Sequence, residues 1–229
     1  MINPYDVVGV SFWFIAIINL LTALLIFVDK QSLSVHWRLP LSILGVVMFF
    51  SGCHYYSMQQ IWISQQNIAL AYRYLEWVVV LPFQLVVSYL VLRVDGRFCF
   101  CLFRKLYSVS FMVLMLGYLI ELELLLNYWT LVMAVLWGFV LYTLWFGPAE
   151  RAKSAVINLS ALQAFTRLRL IVTFGWLVYP LMYCFEAMNV LDPSMINLCL
   201  NGMDLINKLL FSLIIIYASY KDSGLLHTK

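Results

Sequence analysis

Four ionisable residues fall where charge is expensive. Arg73 and Glu76 lie in the run AYRYLEWVVVLPFQLVVSYL, and Asp204 and Lys208 lie in GMDLINKLLFSLIIIYAS. Each run suits a helix that crosses a bilayer. A charge inside such a run is costly unless it is paired, so it marks function by default. Residues three or four apart share a helix face, so Arg73 projects with Glu76, and Asp204 with Lys208. The plain interpretation is two structural ion pairs that tie helices together. The sharper one begins with the lysine, because a buried primary amine can condense with a carbonyl compound to a Schiff base. Once protonated, that group is a buried cation and requires counter-ions. Asp204, one turn away, is one candidate and Glu76 is the other. Two acids and two bases near one depth are hard to explain as packing.

The elements that would position these residues follow from composition. The chain has 229 residues, of which 64% are hydrophobic and 11% charged, against about 25% charged in soluble domains. Lipid is the solvent such a surface requires. Seven stretches are predicted to span it, at 7–28, 40–61, 70–93, 102–124, 127–147, 167–189 and 196–219. The expected fold is an all-α membrane protein, a seven-helix bundle forming one domain over 1–229, multi-pass in the cell membrane. Lys30, Arg38, Arg93, Arg97, Arg104, Lys105, Arg151, Lys153, Arg167, Arg169, Lys221 and Lys229 all fall on one side of it. That side is the cytoplasm by the positive-inside rule, which puts the N-terminus outside and the C-terminus inside. Arg73 and Lys208 alone break the pattern. MINPYDVVGV lacks the basic start of a cleaved signal peptide.

Other chemistry is poorly supported. The net charge of +3 comes without the basic, aromatic-interleaved patch of a nucleic-acid binder. Cys53, Cys99, Cys101, Cys184 and Cys199 lack the spacing of a zinc site or a disulfide framework. In the sixth span, Trp176, Tyr179, Pro180 and Tyr183 recur at helical spacing. Such a stripe is more often packing than a ligand wall, but opposite Lys208 it would flank a slot for a flat conjugated ligand.

With these residues in view, the sequence resembles the microbial rhodopsins, and among them the proteorhodopsins. The resemblance rests on RYLEW with a proline six residues past the glutamate, WLVYP, DLINK, HYYSMQQIW and LFRKL, and covers nearly the whole chain. It implies all-trans retinal on Lys208, Glu76 as counter-ion and proton acceptor where most members have aspartate, and Asp204 as second counter-ion. Arg73 would sit outside both, and His54 would partner the acceptor carboxylate. Tyr55, Trp77, Val80, Leu81, Gln84, Trp137, Trp176, Tyr179, Pro180 and Tyr183 would line the retinal. Gln84 matches the blue-absorbing choice at its position. Two departures bear on function: Val80 stands where pumps usually carry threonine, and Val87 where the proton donor is usually a carboxylate.

The resemblance implies a transporter or photoreceptor and not an enzyme. The expected function is a slow outward proton pump; the alternative is a photosensor that signals to a separate partner. Glu76 argues against a chloride pump, and the missing asparagine–aspartate–glutamine pattern against a sodium pump. The expected partners are the lipid bilayer, retinal, protons and further copies of the chain, with no nucleic acid.

Overall fold

The structure is a computed structural model that describes residues 5–65, 68, 70–92, 100–126, 128–153 and 158–225. Arg93, Asp95, Arg97, Cys99, Lys229 and the side chain of Tyr183 lie outside the described residues.

Apolar runs become helices because lipid offers the backbone no hydrogen-bond partner, so each N–H and C=O must be satisfied within its own segment. Helix α1 is Val7–Asp29, α2 Val35–Gln65, α3 Leu70–Leu92, α4 Phe100–Glu121 and α5 Trp129–Trp145. A short α6, Pro148–Lys153, precedes the sixth span. That span is made of α7 (Leu159–Leu170), a π-helical turn (Ile171–Gly175) and α8 (Val178–Ala187). Helix α9, Pro193–Asp222, is the seventh. Among the described residues, six helical stretches are long and apolar enough to cross a membrane. α4 is 22 residues long and packs between α3 and α5. The expected seven-helix bundle is what the chain forms.

The helices are arranged as a ring. α1 lies along α2, α2 on α3, α3 on α4 and α4 on α5, while α9 returns against α1, α2, α7 and α8. α3 also packs on α7. At one end Asp6 caps α1 by accepting from Gly9 N and also accepts from Trp62 Nε1 at 2.7 Å. At the other end Asp222 accepts from Trp37 Nε1 at 2.7 Å and from Asn158. Tyr220 donates to Asp29 there. Apolar residues exposed on the outer faces, such as Leu24, Leu25, Leu131 and Val135, face the lipid.

Several boundaries differ from the expected ones. α2 begins five residues before Pro40, which falls inside the helix and withholds a single N–H from it. The sixth helix starts at Leu159 rather than near 167. Its first turns, LSALQAFTRLR, are polar enough to read as a loop, but Asn158 caps them by accepting from Ala161 N at 2.9 Å. Ala161, Ala164, Phe165 and Leu168 are buried there. Arg169 is a third cation inside the bundle, contrary to the sequence reading. It is 8% exposed, pairs with Glu150 and lies over the Trp145 ring at 4.1 Å.

Candidate functional site

The site forms where α2, α3, α8 and α9 converge. Lys208 is buried, the only lysine so placed among the described residues, and Glu76 and Asp204 are the only buried carboxylates among them. Lys208 Nζ donates to Glu76 Oε1 at 2.6 Å and to Asp204 Oδ2 at 3.1 Å. It also lies 4.8 Å from the centre of the Tyr55 ring. The helical spacing of four brings Asp204 to the lysine. Glu76 arrives from α3.

The two acids have different surroundings. Asp204 accepts from Tyr55, from Tyr179 at 2.6 Å and from Trp77 Nε1 at 3.4 Å, besides Lys208. Glu76 accepts from Lys208 and from Ser51, and its Oε2 has no partner among the described residues. Asp204 is thus a carboxylate with most of its lone pairs taken, and Glu76 is the one with an oxygen free.

Arg73, one turn from Glu76 on α3, does not bond either acid. Its Nη2 donates to Asn197 Oδ1 at 2.8 Å and to Asn201 Oδ1 at 2.7 Å, and its guanidinium lies 5.3 Å from the Phe12 ring. Asn197, Asn201, Asp204 and Lys208 form one stripe along α9, at steps of four, three and four. That polar stripe was readable in the sequence, although the two asparagines were not singled out.

His54 is corrected by the geometry. Its Nε2 lies 3.2 Å from the carbonyl of Tyr72 and its ring stacks on Tyr72 and Phe50. The α2 residue that touches the Glu76 carboxylate is Ser51, three positions earlier and fully buried. A glutamate reaches one methylene further than an aspartate, which suits it to a short hydroxyl on the neighbouring helix.

The break in the sixth helix sets the aromatic wall. Pro180 has no N–H for the carbonyl of Trp176, and Tyr179 N takes that carbonyl instead at 3.3 Å. Gly175 O is left free and accepts from Asn207 Nδ2 at 2.9 Å. A side chain at Gly175 would collide with Asn207, so glycine is required for that close approach. Beside the break, Trp176 stacks on Trp137 with centroids 5.4 Å apart, and Tyr179 meets Trp77 at 4.8 Å.

A cavity of about 450 Å³ lies between α3, α4, α5 and α8. Trp77, Leu81, Trp137, Trp176, Tyr179 and Pro180 line it as expected, joined by Gly117, Met133 and Leu114. Tyr55, Val80 and Gln84 do not line it; all three are buried. Gln84 accepts from Ser88 through its backbone carbonyl, and its Nε2 has no partner among the described residues. Val87 is sealed among Ala164, Leu168, Phe211 and Ile215.

Retinal fits this arrangement. The cavity lies within the range of roughly 300–1,000 Å³ of small-molecule sites, and its walls are aromatic and apolar. Two of its lining residues, Trp77 and Tyr179, touch Asp204, which in turn touches the Lys208 amine.

The sequence profile of the bacteriorhodopsin-like proteins matches residues 6–221. A green-light absorbing proteorhodopsin from Gamma-proteobacterium EBAC31A08 is 29% identical over 226 residues, 97% of this chain and 90% of that protein. A blue-light absorbing proteorhodopsin from Gamma-proteobacterium Hot 75m4 is 30% identical over 224 residues, 96% of this chain and 88% of that protein. The crystal structure of a blue light-absorbing proteorhodopsin from Med12 superimposes with a TM-score of 0.79 at 30% identity, over 94% of this chain and 98% of the other. Exiguobacterium sibiricum rhodopsin reaches 0.83 at 24% identity, over 96% and 98% of the two chains, and shares the fold. The chain belongs to the bacteriorhodopsin-like family, as a multi-pass protein of the cell membrane that binds retinal through a Schiff base to a lysine.

Proposed function

We propose that the chain is a slow, light-driven outward proton pump in which Lys208 carries retinal and Glu76 takes the proton. The observation that supports this is the buried contact of 2.6 Å between Lys208 Nζ and Glu76 Oε1. Lys208 would hold retinal as a Schiff base, and the group would supply light absorption there; Lys208 itself would hold the proton on its nitrogen. Glu76 Oε1 stands within hydrogen-bond reach of that proton, as a general base must. Asp204 keeps its charge, held by two phenols and an indole. Arg73 and its asparagines form the outward side. The whole chain acts as one domain, with its N-terminus outside, as the placement of lysine and arginine supports.

Return of the proton from the cytoplasmic side is the slow half. Val87 has no proton to give, and among the described residues no carboxylate is buried besides Glu76 and Asp204. That same lack favours a second reading, a photosensor whose long-lived state signals to a separate partner.

The test is illumination of liposomes holding the protein, with external pH recorded. A protonophore-sensitive pH change is expected from a pump; a bleachable pigment that gives none turns the assignment to the sensor. Lys208→Ala should form no visible band with all-trans retinal, and a normal pigment in that variant would overturn both readings.

A further inference from the structure

We infer that Asn19 and Ser51 form a reversible hydrogen-bond relay that senses the protonation of Glu76 and steadies both of its states. The inference rests on the reading of Glu76 as the proton acceptor and adds two positioning residues to it.

Asn19 of α1 and Ser51 of α2 are both fully buried. Asn19 Nδ2 donates to Ser51 Oγ at 2.9 Å, and Ser51 Oγ donates to Glu76 Oε1. A hydroxyl has one proton and two lone pairs. With the amide N–H on one lone pair, the single serine proton is directed to the carboxylate. The ionised acid therefore faces a donor that is itself held in place from a third helix.

Protonation reverses the demand. Glu76 then carries an O–H and becomes a donor, and the remaining lone pair of Ser51 can accept it. With the proton on Oε1 and donated to Ser51, the serine proton turns to another acceptor. Asn19 Oδ1 is buried and has no partner among the described residues. Rotating the amide by half a turn brings that oxygen onto Ser51 in place of the nitrogen. The chain then runs from Glu76 through Ser51 to Asn19, the opposite of its first direction. No proton changes residue in this reversal: Glu76 keeps the one it received, Ser51 keeps its own, and only the hydrogen bonds turn round. One amide atom of Asn19 lacks a partner in either direction, so this count favours neither state.

The other groups around Glu76 do not provide this reversal. From α9 it faces Lys208 and Asp204, both already bonded to each other. On α3, Arg73 is turned to Asn197 and Asn201. On α2, Tyr55 donates to Asp204 and His54 is turned to Tyr72. On α1 the described acids, Asp6 and Asp29, sit at the two helix ends.

The experiment is infrared difference spectroscopy of the full-length pigment, with asparagine labelled by ¹³C at the side-chain carbonyl. It is recorded during acid titration in the dark and after a flash. The expected result is an asparagine carbonyl band that shifts together with the appearance of a carboxylic acid band from Glu76. The asparagine shift should vanish in Asn19→Leu and in Ser51→Ala, and return in Ser51→Thr. In Ser51→Ala the acid-induced colour change should move to higher pH by about one unit, since a donor to the anion is lost. A Glu76 carboxylic band with no moving asparagine band in the unmodified pigment would overturn the relay and leave the acceptor standing. A carboxylic band that persists in Glu76→Gln would overturn the acceptor reading, and the relay with it.

Discussion

Glu76 and Asp204 face one ammonium group from two helices, yet they are not interchangeable. Asp204 accepts from two phenols, while Glu76 accepts from one hydroxyl and has one oxygen without a partner among the described residues. If Glu76 is the counter-ion proposed above, its negative charge would stabilise the positive dark-state chromophore, and removing it would lower the excitation energy. Glu76→Gln should therefore absorb further to the red at neutral pH and lose the acid-induced red shift; a full transition in that variant would assign the titration to another group. Gln84 should tune colour through its amide dipole, although it lies off the cavity wall. Gln84→Leu is expected to shift absorption to the red, and an unmoved or blue-shifted band would show that the blue-type role does not carry over. The four charges of the site were legible in the sequence because charge inside an apolar run is costly. Ser51 and Asn19 were not, because small neutral polar residues are common in membrane helices and only a neighbouring helix gives them a partner. His54 was misassigned for the same reason. Its type was read correctly, but the direction of its ring depends on the packing of α2 against α3.

At the scale of elements, the apolar runs predicted seven helices well and their ends less well. Hydropathy places the sixth span from its greasy part, yet the helix begins in the polar run behind Asn158. The π turn at Ile171–Gly175 had no clear signal beyond Gly175 and Pro180. It follows from two local facts, a proline that withholds one N–H and an asparagine on α9 that takes the carbonyl left over. Helix α3 carries the functional departure. Val87 is eleven residues past Glu76, roughly 16 Å along the axis, and is fully buried. Dark-state absorption should recover slowly after a flash, and more slowly as pH rises, if the proton comes from bulk water as proposed above. Val87→Glu or Val87→Asp should speed recovery by on the order of a hundredfold and flatten its pH dependence. Fast, pH-independent recovery in the unmodified protein would instead reveal an internal donor on another helix.

The molecule as a whole is tight on one side and looser on the other. α1, α2, α3 and α9 enclose the charged centre, and polar clasps at Asp6 and Asp222 join the helix ends. On the far side α5 reaches the sixth span through the Trp137–Trp176 stack and the bond from Trp145 Nε1 to Thr173. Ala134, Leu177 and Cys184 line the cavity there and are also exposed on the surface of the bundle. The cavity thus has a side window onto the bilayer. A lipid-soluble aldehyde can enter it sideways, without crossing the headgroups and without the bundle unfolding. Cys184 stands at that window as a free thiol. A membrane-permeant maleimide should alkylate it readily in the empty protein and about tenfold more slowly once retinal is bound, on the order of a modest steric block of 1.4 kcal/mol. Exposed Cys53, on α2, serves as the internal control and should label equally in both. Equal labelling of Cys184 before and after pigment formation, read by mass spectrometry, would mean that the chromophore enters by another route.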